Sequence, residues 1–79
     1  MKLYELCSAI IIQGNIAVKV FNEEGYEIEA RYFRNQDNFD TNIPAIADLE
    51  DLEVIYIYPM DLYDRKPWLV IEVREYHEV

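Results

Sequence analysis

Only one stretch of this chain has the hydrophobic spacing of a helix, and three of the four stretches that read as strands alternate with a period of two. That pattern restricts the fold to a sheet with a single helix packed against it. Leu3, Leu6, Cys7 and Ile10 fall at i, i+3, i+4 and i+7, so Lys2 to about Ile11 is expected to form a short amphipathic helix, with Gly14 as a positive-φ stop. Ile16, Val18 and Val20 then alternate with Ala17, Lys19 and Phe21, and Asn22-Glu23-Glu24-Gly25 is a four-residue hairpin connection with Gly25 in the left-handed position. In the second strand Tyr26, Ile28, Ala30 and Tyr32 are expected on the core side, with Glu27, Glu29, Arg31 and Phe33 on the other. Arg34 to Asn42 is a polar connection, and Pro44 to Leu49 has room for a short helical turn opened by Pro44. Val54 to Tyr58 forms the third strand, stopped by Pro59. After a loop from Pro59 to Lys66, Trp68 to Glu75 closes the chain with Leu69, Ile71 and Val73 on one face. Pairing consecutive strands gives the expected architecture: an α+β domain with the N-terminal helix packed on a four-stranded antiparallel meander.

The chain has 79 residues, enough for one domain, and 52% of them are hydrophobic, enough to build a core. Cys7 is the only cysteine, which rules out an intrachain disulfide and leaves a cytoplasmic setting as the expectation. The apolar run Ala9 to Ile12 is too short for a membrane span. Charge is distributed unevenly. From Asn35 to Asp64 there is no lysine or arginine, but the stretch contains Asp37, Asp40, Asp48, Glu50, Asp51, Glu53, Asp61 and Asp64, which carry nearly all of the net charge of -9. The same window holds Ile43, Ile46, Leu49, Leu52, Val54, Ile55, Ile57 and Leu62, so it belongs to the folded domain. An acidic field of this kind repels nucleic acid and anionic membranes and attracts basic protein surfaces.

No catalytic signature is present. His77 is the only histidine and no nucleophile lies in a recognisable elbow, while Cys7 reads as a small core residue on the helix's apolar face. Asp37, Asn38, Asp40 and Asn42 are oxygen donors in one loop, but their spacing departs from the calcium-loop pattern and no glycine lies among them, so no metal or other cofactor is expected. The aromatic residues are more informative. If Ile55 and Ile57 face the core beside Leu69, Ile71 and Val73, then Tyr56, Tyr58, Trp68 and Val70 project from the opposite face, joined by Phe33 and with Phe21 as a further candidate. The inverse register would bury the tyrosines and expose the isoleucines. Stacking on single-stranded nucleic acid would need a basic groove, which this composition does not supply.

The helix Met1 to Leu6, the strand segment Val18 to Phe21 and the connector Ile43 to Val54 together resemble short acidic orphan proteins of phages and mobile elements of Gram-positive bacteria. Many such proteins have no assigned role and some act as stoichiometric inhibitors of host defence, including anti-CRISPR and anti-restriction factors that present acids where DNA phosphates would lie, so the resemblance implies such inhibition as one expectation for this chain. The leading expectation is therefore a non-enzymatic protein that occludes a basic surface, such as that of a nuclease. In this reading the eight acids of the window form the mimic, and Tyr56, Tyr58 and Trp68 are the anchors. The rival expectation is a homo-oligomer joined through the aromatic sheet face.

Overall fold

The computed structural model describes residues 1–62 and 64–76, so His77 lies outside the described residues. The chain forms α1 (Leu3–Ala9), β1 (Gly14–Phe21), β2 (Glu27–Gln36), a 3-10 turn (Ala47–Leu49), β3 (Glu53–Asp61) and β4 (Pro67–Arg74). The fold is α+β, with one short N-terminal helix and one four-stranded sheet. The expected meander is corrected. The strand order is β2-β1-β4-β3, with β1 and β4 parallel at the centre and the two hairpins β1-β2 and β3-β4 antiparallel.

Burial explains this order. A strand covered on both faces reads as a nearly continuous apolar run, whereas a strand at the sheet edge tolerates charge. β1 contains Ile16, Ala17, Val18 and Val20, and β4 contains Trp68, Val70, Ile71 and Val73, all buried. A meander would have put both strands at the edges and drawn the charged β2, with Glu27, Glu29, Arg31 and Arg34, into the interior. Residues 37–52 therefore cross one face of the sheet to carry the chain from β2 to β3, on the opposite edge.

The main core lies between that face and the layer above it. Ile16, Val18, Val20, Ile71 and Val73 from the sheet meet Leu3, Leu6 and Cys7 of α1 together with Ile12, Phe39, Ile46 and Leu49. Phe33 packs into this cluster, with its ring centroid 5.2 Å from that of Phe39. The expected faces of β2 are thus reversed. Phe33 points to the covered side, while Tyr26, Ile28 and Tyr32 remain mostly exposed. The β1-β2 register makes the reason visible: Ile16 is opposite Phe33 and Val18 opposite Arg31, so Arg31 and Phe33 share the face of buried Ile16 and Val18. In β3, Ile57 pairs with Ile71 and Tyr58 with Val70, so Tyr56 and Tyr58 do lie on the second face, as one of the two registers required.

Local sequence signals are met with small displacements. The Lys2 N–H donates to Glu5 Oε1 at 3.0 Å, which ties the start of α1. The helix then stops at an extended Ile10 instead of running to Ile11, and Gly14, with φ of 100°, opens β1. Gly25 takes a φ of 91° in the hairpin, where the Asn22 N–H donates to the Tyr26 carbonyl at 2.8 Å. Pro59 does not stop β3. It sits within this edge strand, where a missing N–H can face away from the ladder.

Candidate functional site

Apart from Asp48 in the 3-10 turn, the acids of the window divide into three places. Glu50, Asp51 and Glu53 sit where the crossover docks on the first turn of α1, since the Leu3 and Tyr4 N–H groups donate to the Leu52 and Glu50 carbonyls at 3.0 Å each. Asp37 and Asp40 flank Phe39, whose N–H donates to the Ile12 carbonyl beyond the end of α1. Asp61 and Asp64 lie at the far end of β3 and in the loop leading to β4.

They also divide by what they do. Asp48 accepts two hydrogen bonds from the Arg31 guanidinium, at 2.7 and 2.9 Å, while Arg31 also donates to Glu29 and to the Ala45 carbonyl. The bonds from Arg31 hold the Asp48 carboxyl below the usual carboxylate range. Arg31 is thus a clamp that joins β2 to the 3-10 turn. Asp64 is a second internal ligand: its carboxylate accepts from Trp68 Nε1 at 3.0 Å, from the Lys66 N–H at 3.1 Å and from Arg34 at 2.9 Å. Desolvation pushes its pKa upward, but these donors together outweigh it and leave the carboxyl depressed. Asp40 accepts from the backbone N–H of Asn42 at 3.3 Å, closing a local turn, and Glu53 pairs with the N-terminal ammonium at 2.9 Å. Among the described residues, Asp37, Glu50, Asp51 and Asp61 have neither an ion pair nor a side-chain hydrogen bond on their own chain.

The aromatic residues separate in the same way. Trp68 is 2% exposed, packed with Ala17, Val70, Tyr58 and Leu62 in a second small core. Tyr32 meets its ring edge-on at 5.7 Å between centroids, and the Arg34 guanidinium lies 5.0 Å from it. The loop before β4 therefore folds over this end of the sheet, and Trp68 is an internal anchor with no free surface for a partner. Tyr58 is half-buried and its hydroxyl donates to Glu72; this bond first, and burial second, push its pKa up to about 12. Tyr56, 65% exposed, is the one anchor candidate with an open ring. Sequence reasoning missed Arg31 and Arg34 as structural ligands because their partners, Asp48 and Asp64, lie far along the chain.

No family model, characterised protein or solved structure matches this chain. Burial raises the pKa of Cys7, helped by the nearby Asp40 carboxylate, and this disfavours a nucleophilic thiolate there. Among the described residues no three or more histidine, cysteine, aspartate or glutamate side chains cluster as a metal site, and no helix is long and apolar enough to cross a membrane. An open cleft beside the start of α1 is lined by Lys2, Asp51, Leu52, Glu53, Arg74 and Tyr76, with charges of both signs.

Proposed function

We propose that this protein is a non-enzymatic interaction protein that binds a basic surface of another protein, such as the nucleic-acid groove of a nuclease, and excludes the nucleic acid from it. The observation that carries this reading is that Asp37, Glu50, Asp51 and Asp61 are exposed with no cation of their own chain engaged, while Asp48 and Asp64 are consumed internally. Carboxylates already paired within the fold have little charge left to offer, and unpaired ones accelerate encounter with lysine- and arginine-rich surfaces. The mimic therefore narrows from eight acids to Asp37, Glu50, Asp51 and Asp61, with Asp40 and Glu53 in supporting positions. Tyr56 is the aromatic contact this reading retains; Trp68 and Tyr58 support the surface from within. A dimer through the aromatic sheet face has less in its favour, because Ala17, Trp68 and Val70 on that face are already covered.

The test is competition. A basic nucleic-acid-binding partner should lose its nucleic acid when this protein is added, and the complex should weaken as salt rises, because both ligands engage the same cations. Reversing Glu50 and Asp51 together should slow association more than it speeds dissociation. Simultaneous, independent binding of nucleic acid and this protein to one partner would sink the proposal.

A further inference from the structure

The cations of this chain are not all used in the same way. Arg31 and Arg34 are spent on carboxylates of their own chain. Arg74, at the end of β4, is not. Among the described residues its guanidinium donates only through Nη2, to the Glu23 carbonyl, and lies 5.8 Å from the ring centroid of Tyr76. Its Nε is the one buried side-chain nitrogen or oxygen among the described residues that has no hydrogen-bond partner. A buried donor without an acceptor is unfavourable, and a guanidinium has five N–H donors, so Arg74 is a cation with donors to spare.

The sheet register shows why. Glu53 lies directly across the ladder from Arg74, and Lys2 bridges to Glu53 from its other side, so Lys2, Glu53 and Arg74 form one row whose side chains share a side of the sheet. The carboxylate in the middle of this row turns to the N-terminal ammonium, at 2.9 Å, and not to Arg74. Lys2 likewise pairs with no carboxylate among the described residues. Two strand spacings put the Cα atoms of Lys2 and Arg74 about 10 Å apart, within reach of convergence of two long side chains on one small anion. Both line the open cleft beside α1, of about 670 Å³, a volume that suits a small ligand, together with Asp51, Leu52, Glu53 and Tyr76. Main-chain bonds fix its walls: the Leu3 N–H donates to the Leu52 carbonyl at 3.0 Å, the Val54 N–H to the Met1 carbonyl at 2.8 Å, and the Glu75 N–H to the Phe21 carbonyl at 3.0 Å.

We infer that this cleft binds a free α-amino acid with an apolar side chain. Lys2 and Arg74 take its carboxylate, Asp51, which is exposed and engages no cation of its own chain, takes its ammonium group, and Leu52 and the Tyr76 ring meet its side chain. A simple carboxylate would suit the two cations but be opposed by Asp51, and a simple amine would face both cations. A ligand with both signs and an apolar body matches all three parts of the lining. Binding is weak, because the cleft is open and leaves much of such a ligand in water. Asp51 also belongs to the acidic surface proposed for a basic partner, but ligand binding is read on this protein alone, so either proposal can fail without the other.

Titration of the full chain with L-leucine, followed by amide chemical shifts, tests this directly. The shifts should saturate, centre on Lys2, Leu52, Glu53 and Arg74, and give a dissociation constant of about 1 mM or tighter. Leucinamide, which lacks the carboxylate, and N-acetyl-leucine, which lacks the ammonium group, should each bind roughly tenfold more weakly, since each loses one charge-assisted contact. Lys2→Gln and Arg74→Gln should each weaken leucine by a similar factor, whereas Lys66→Gln, in the loop before β4, should leave it unchanged. Circular dichroism checks that the variants fold, and the two analogues make the same comparison on the wild-type protein. No saturable shift up to about 20 mM leucine, well above the expected dissociation constant, overturns the inference. So does binding of either analogue as tight as that of leucine, or binding that both Lys2→Gln and Arg74→Gln leave intact.

Discussion

Two side chains that donate to carboxylates, Arg31 and Trp68, tie the crossover and the loop before β4 to the sheet. Arg31 fastens the crossover to β2 through Asp48, and the Trp68 indole is fixed through Asp64. Both carboxyls have depressed folded pKa values relative to 3.8, so each contributes stability that is present above that pH and is lost as pH falls through the folded pKa. An Asp48→Asn, Asp64→Asn double variant should therefore show a shallower loss of stability on acidification below about pH 4, measured by thermal unfolding across pH; an unchanged acid limb would contradict the assignment. Tyr58 has the opposite sign. Its pKa is raised from 10 to about 12, so the stability it contributes is complete below pH 10 and is lost as pH rises from 10 through 12. Ultraviolet titration should find one tyrosine ionising later than the rest, and that late step should disappear in Tyr58→Phe.

At the scale of elements, the central pair β1 and β4 carries the core and the edge strands do not. Ile71→Ala removes a side chain with no exposure and should cost about 2 to 5 kcal/mol in urea unfolding. Ile57, expected from the sequence to be equally critical, is 44% exposed, and its replacement by alanine should cost about 1 kcal/mol or less. Equal losses would show that the edge is as deeply packed as the centre. The loop before β4 has its own reporter in Trp68, the only tryptophan. Its emission should be blue-shifted in the folded protein and should move to the red in Asp64→Ala, as the indole loses its hydrogen bond and the loop loosens over the second core.

Across the whole molecule, the charge is layered. The crossover and the end of β3 carry the unpaired acids Asp37, Glu50, Asp51 and Asp61, while Arg31 and Arg34 on β2 neutralise carboxylates brought to them from the crossover and from the loop before β4. With 16 acids against 7 bases, like-charge repulsion remains after these pairs are made. The thermal midpoint should rise modestly as salt is added up to about 1 M, where the screening length falls to about 3 Å. A steady fall would mean that the internal ion pairs outweigh the unopposed acids.

The sequence by itself determined the secondary elements, because hydrophobic period, turn glycines and β-branched runs are local properties written into neighbouring residues. Lys2 to Ile11 contains α1, the Asn22 to Gly25 turn holds its left-handed glycine, and Leu69, Ile71 and Val73 share a face as their alternation required. Strand order was also partly legible, in the double-sided apolar content of β1 and β4, but proximity along the chain favoured the meander. Only the tertiary structure decided that these two strands lie side by side in parallel, because the gain from burying both faces of each is a global quantity that no window of sequence contains. The same limit applied to the acids. Whether a carboxylate faces a partner or an arginine of its own chain depends on contacts such as Arg31 with Asp48 and Arg34 with Asp64, formed between residues far apart in sequence. Folding thus separated eight acids that look alike in sequence into internal ligands and free surface charges.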